Sequence, residues 1–145
     1  ELYLRSSKVS KLDDGLIIQD FIDVPTYLNY KELTKLGNNL RNPNLMNHGS
    51  HGMDHIFLLD GINKKVPSAI LYDPTSKRKM TLYTDYPAIV VYGYNHPDKT
   101  ENLAGVVDDE NYGITFETAI PTNDYDKITF SKERPYSYFA KFKFN

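Results

Sequence analysis

Apolar residues in this 145-residue chain fall into short runs, each bounded by polar, Gly-rich or Pro-containing stretches. Leu2 to Val9 reads as one strand, and Gly15 to Val24 as a second that Pro25 stops. Ile56, Phe57, Leu58 and Leu59 form an apolar run within 54–60, short enough for a buried strand, and Asp60-Gly61 supplies turn chemistry after it. Ser68 to Tyr72 and Lys79 to Thr84 flank the polar segment 73–78, the pattern of a hairpin. Ala88 to Tyr94, Tyr112 to Thr118 and the short Ile128 to Phe130 add further strands. From Tyr136 to Phe144, Tyr, Tyr, Ala, Phe and Phe alternate with Ser, Phe, Lys and Lys, which predicts a strand with one buried face. Helix signals are sparse. Tyr30, Leu33 and Leu36 stand at near-helical spacing before Gly37 and predict one or two turns. The polar stretches 38–52 and 95–111 read as long loops, where sites are commonly built. The expectation is an all-β domain, a sandwich or barrel.

Composition narrows the function. Hydrophobic residues at 40% can supply a core, so wholesale disorder is not expected. The formal charge is −2, without the basic surplus typical of nucleic-acid binders, so no nucleic-acid partner is expected. The longest uninterrupted aliphatic stretch, Ala88 to Val91, is far short of the ~20 residues a membrane-spanning helix needs, so no membrane span is expected. Cysteine is absent, which removes disulfides, thiolate metal sites and cysteine nucleophiles. The sequence opens at Glu1 rather than Met, which suggests processing or truncation.

Candidate chemistry lies in histidines and carboxylates. His48, His51 and His55 cluster with Asp54, ordinary zinc ligands by type. However, His51 and His55 would share a face only on a helix, which Gly49 and Gly52 disfavour, and the spacing matches no ligand motif. No metal is expected. Serine hydrolysis fails too, because Gly-x-Ser-x-Gly is absent. Glu117 lies inside the otherwise apolar strand 114–118, opposite in direction to Phe116, so a place on the solvent face competes with a catalytic one. Asp54 begins a strand just beyond a Gly-rich loop, a position suited to a ligand carboxylate or to a turn. Both alternatives stay open at this level.

Three motifs, taken together, resemble the C-terminal half of the aldose 1-epimerase (galactose mutarotase) family. Gly52-Met53-Asp54-His55-Ile56-Phe57 is similar to the family's Gly-x-Asp-His-x-Phe strand. Asp73-Pro74-Thr75-Ser76, with Thr84-Asp85-Tyr86-Pro87 and the strand through Tyr92, resembles its hairpin and Thr-Asp-x-Pro segment. Gly113-Ile114-Thr115-Phe116-Glu117 resembles its Gly-(Ile/Val)-x-(Phe/Leu)-Glu strand, and the 63 residues from Asp54 to Glu117 suit the family.

The resemblance implies a large antiparallel β-sandwich of which residues 1–145 are the C-terminal segment. It implies a cytoplasmic isomerase of carbohydrate metabolism that interconverts the α and β anomers of an aldohexose such as galactose or glucose, with no cofactor. By the same resemblance Glu117 is the general base, Asp54 hydrogen-bonds sugar hydroxyls, and Tyr92 lies beside the sugar. Burial among Ile114, Phe116 and Ile120 would raise the Glu117 carboxyl toward the range a base needs. Two departures concern sugar preference: Val90 and Ala119 stand where many members have Gln. A third is larger. The family's acid histidine lies in a His-x-Tyr-Phe-Asn-type motif upstream of everything present here, so Glu1 falls in mid-domain and the expected partner is the N-terminal half. By itself the chain is expected to be inactive. The competing expectation is a sugar-binding β-sandwich module without catalysis.

Overall fold

A computed structural model describes residues 1–46, 49–101, 104–121 and 125–145. Among these residues nine strands form two antiparallel sheets. The first is ordered β1 (Leu2–Leu4), β5 (Ala69–Tyr72), β6 (Lys79–Thr84) and β9 (Ala140–Phe144). The second is ordered β3 (Ile18–Asp23), β2 (Ser6–Leu12), β4 (Asp54–Leu59), β7 (Ala88–Tyr92) and β8 (Thr115–Ala119). Leu2, Leu4, Ala69 and Leu82 from the first sheet and Val9, Phe57, Ile89 and Val91 from the second lie in one core. Each is at most 1% exposed, so burying one large side chain such as Phe57 contributes about 2–3 kcal/mol. Leu28, Tyr30, Leu45 and Met53 extend that core from the connections.

The expected strand Leu2 to Val9 is two strands in different sheets. Arg5 is the single residue between them. Its backbone N–H donates to Ser68 O at 3.0 Å, while its guanidinium donates to the carbonyls of Asp60, Gly61 and Pro67 and to Ser68 Oγ. One side chain thus ties the crossing point to the 60–68 loop. Gly15 to Val24 begins later than expected, at Ile18, because Asp13 Oδ1 accepts from the Gly15 and Ile17 N–H groups and closes a turn there. The hairpin at 73–78 forms as the sequence indicates. Asp73 accepts from the Ser76 hydroxyl and from the Thr75 and Ser76 N–H groups, and these bonds, the hydroxyl's first, hold its carboxyl down at about 2.

Four further expectations are corrected. Tyr30 to Leu36 is not helical: Tyr30 is buried in the core, and Thr34 exchanges backbone hydrogen bonds with Leu2. Short helices occur instead within the expected loop, α1 (Gly37–Leu40) and α2 (Pro43–Met46), the latter seating Leu45 in the core. Ile128 to Phe130 is no strand, for a helical turn α3 (Tyr125–Ile128) ends there. Tyr136 to Phe144 pairs only over β9, and its apolar positions are exposed. Phe142 faces the same side as buried Leu82, yet it is 43% exposed and Phe144 is 74% exposed. β9 is an edge strand that overhangs the core, so alternation there marks a face that the described residues leave open.

Candidate active site

The second sheet brings the expected site residues together. Asp54 is the first residue of β4 and pairs with Tyr92, the last residue of β7, which pairs in turn with Thr115 of β8. Directly opposed residues point to the same side of a sheet, and so do residues two apart on a strand. Asp54, Tyr92, Thr115 and Glu117 therefore share one face, with Ile56 and Val90 as its floor. Their neighbours Phe57, Val91 and Phe116 point the other way, into the core. Asp54 and Glu117 stand on strands either side of β7 and two residues apart in register. That offset places their Cα atoms about 12 Å apart, with both side chains reaching over the floor between them.

Exposure separates the two carboxylates. Glu117 is exposed, and Thr115 Oγ1 donates to its Oε1 at 3.3 Å. The burial expected for Glu117 is not met, because Phe116 faces away from it. The solvent face and the candidate catalytic face are one surface, so the two readings of Glu117 do not exclude each other. Asp54 is half-buried, and its carboxyl is raised above the ordinary range by burial first and by the Glu117 charge second, while His96 draws it back. Proximity of two like charges at one open face is a common arrangement in active sites.

The sequence alone does not reveal how the 93–96 segment is placed. Asn95 Nδ2 donates to Met53 O at 3.0 Å, and Asn111 Nδ2 donates to Gly93 O at 2.8 Å. The His96 N–H donates to the Tyr92 hydroxyl at 3.2 Å. Gly52 has φ +155°, and a Cβ there would sit 2.3 Å from Asn95 Oδ1. That contact gives the glycine of the Gly-x-Asp-His sequence a physical cause: it lets the segment after β7 pack beside Asp54. His51 meets His96 edge-on with ring centroids 5.9 Å apart. His55 is turned to the buried side, 6% exposed, with its Nδ1 accepting from the Asp54 N–H. His48 lies outside the described residues. Among the described residues no three His, Asp or Glu side chains gather in a way that could hold a metal ion.

The carboxylate face is open at its Glu117 end, where that side chain is exposed. Two cavities of about 440 and about 430 Å³ lie elsewhere, one beside Leu71, Met80 and Phe144 and the other beside Pro87, Ile120 and Phe130. Neither is lined by Asp54 or Glu117, and volume is a poorer guide here than the convergence of charged groups.

The sequence model of the aldose 1-epimerase family matches residues 2–133. The chain belongs to the aldose 1-epimerase family. A galactose 1-epimerase structure from Lactobacillus acidophilus is similar to it with a TM-score of 0.74 and 28% identity, over 99% of this chain and 43% of that one. A GalM/aldose epimerase homologue from C. elegans has a TM-score of 0.75 at 14% identity, over 99% of this chain and 45% of that one, and shows the fold alone. No curated protein matches the chain. It therefore spans less than half the length of the aldose epimerase structures it resembles. Among the described residues no helix is long and apolar enough to cross a membrane.

Proposed function

We propose that this chain is the C-terminal segment of an aldose 1-epimerase that interconverts the α and β anomers of an aldohexose such as galactose or glucose, without a cofactor, in the cytoplasm. The observation that carries this reading is the convergence of Asp54, Tyr92 and Glu117 on one open face of the second sheet. Glu117 takes the proton from the anomeric hydroxyl as the ring C–O bond breaks, and an acid supplied by the N-terminal half protonates the ring oxygen. The open-chain aldehyde turns about C1–C2. Reclosure then runs the two proton transfers in reverse and releases the other anomer. Asp54 accepts hydrogen bonds from sugar hydroxyls, and the Tyr92 ring offers a surface to the C–H face of the sugar.

The test is Glu117→Gln in the complete protein, followed by the optical-rotation change of freshly dissolved α-galactose and α-glucose. Turnover is expected to fall by roughly 10²–10⁴-fold, while sugar affinity is largely retained, because the amide keeps the shape but cannot take the proton. Wild-type turnover in that variant would remove Glu117 from the role. A second reading, a sugar-binding module without catalysis, would use the same face through Asp54 and the Tyr92 ring. Sugar binding by the complete wild-type protein without anomerisation would establish it.

A further inference from the structure

After β7 the chain folds back over the end of the strand at which Tyr92 faces Asp54. Tyr94 takes φ +52°, Asn95 is anchored on Met53 O, and the His96 N–H is anchored on the Tyr92 hydroxyl. His96 therefore stands beside the Asp54–Tyr92 end of the open face, with its ring edge-on to His51, the planes at 84°. His51 itself holds φ +48°, in the left-handed region, which costs a non-glycine residue on the order of 1 kcal/mol. Both imidazoles are exposed. The electrostatic pull of His96 on Asp54 is a second sign that the two groups are neighbours.

We propose that His96, with His51 fixing its orientation, is a sugar-contacting residue that closes the Asp54 end of the site and binds hydroxyls on the side of the ring remote from the anomeric carbon. This inference rests on the aldose 1-epimerase reading. Glu117 holds the anomeric end, and Asp54 and His96 lie about two strands away from it. An ionised carboxylate only accepts hydrogen bonds, whereas a hydroxyl both donates and accepts. An imidazole supplies a ring N–H donor, so Asp54 and His96 together offer a neighbouring pair of sugar hydroxyls both an acceptor and a donor, where Asp54 alone offers only an acceptor. Because the Tyr92 oxygen already accepts from the His96 N–H, its own O–H is left to donate.

The experiment uses the complete protein, with galactose and glucose as probes. His96→Ala and His96→Phe are each expected to raise KM roughly fivefold, the worth of about one hydrogen bond, with a much smaller fall in kcat. The Phe variant keeps the ring and its packing, so a KM rise shared by both variants separates the hydrogen bond from a loss of fold. In wild-type protein, saturation with sugar should shift the imidazole proton resonances of His96 and His51. An unchanged KM in both variants, or sugar turnover by wild type with no shift of the His96 resonances, overturns the inference and leaves the epimerase reading intact. Sugar-dependent shifts at His96 in a protein that turns over no sugar would support the contact and remove the epimerase reading instead.

Discussion

Replacing Asp54 by Asn should make the protein more stable at neutral pH and worse at holding sugar. The carboxyl is raised by burial and by the Glu117 charge, so the folded state favours its protonated form more than the unfolded state does. For a raised carboxyl, the favourable contribution to stability is fully present below the unfolded value of about 3.9 and is lost as pH rises through the raised folded value. At neutral pH, ionised Asp54 is therefore a net cost. With the charges about 10 Å apart, mutual repulsion runs from about 0.4 kcal/mol in water to about 1.7 kcal/mol at an effective dielectric of 20. Glu117 is exposed and Asp54 only half-buried, which puts the value near the lower end. Asp54→Asn should gain about 0.5 kcal/mol at neutral pH, roughly 2 °C in Tm, and the gain should close as pH falls toward ~4. Urea unfolding followed by circular dichroism measures this directly. Asp54→Asn and Glu117→Gln combined should gain less than the sum of the single changes, since each alone removes the same repulsion. A variant that is no more stable at neutral pH, or whose advantage grows toward acid, would refute the argument.

Gly52→Ala should cost about 2 kcal/mol or more and lower sugar affinity together, because its methyl would displace Asn95 and with it the segment carrying His96. Melting curves and a sugar titration of the same variant check both halves of that statement. Residues 1–145 prepared alone should show no mutarotase activity in polarimetry, and adding a separately prepared N-terminal half should restore it. A fully active 145-residue monomer would contradict this and turn attention to acids within the chain, with His51 and His48 first.

Much of the fold is legible where a strand is buried on one face and bounded by turn chemistry. β4, β6 and β7 lie within one or two residues of where their apolar runs place them, and the Asp73 turn is written in its own side chain. The failures have common physics. Leu2 to Leu12 carries inward residues throughout, and nothing local says that the chain changes sheets at Arg5; only the distant carbonyls of 60–68 show it. Tyr30, Leu33 and Leu36 have near-helical spacing, but the pairing of Thr34 with Leu2 outweighs the weak local preference. At the site, motif order led to Asp54, Tyr92 and Glu117, and the register puts them on one face. His96 escaped because its role depends on a reversal after Tyr92 and on a glycine more than forty residues earlier in the chain, a relation that sequence spacing does not carry.

The strand order of the first sheet also imposes a timetable on synthesis. β6 lies between β5, its hairpin partner, and β9, which begins 56 residues after β6 ends. At translation rates of about 5–20 residues per second, one edge of β6 waits about 3–11 s for its partner to be made. During that interval the edge is an open template for any other extended segment, including the same segment of a neighbouring nascent chain. β9 is thus the piece whose arrival ends the exposure. Slowing the ribosome over the codons for residues 85–139 should lower the yield of native protein without changing a single residue of it.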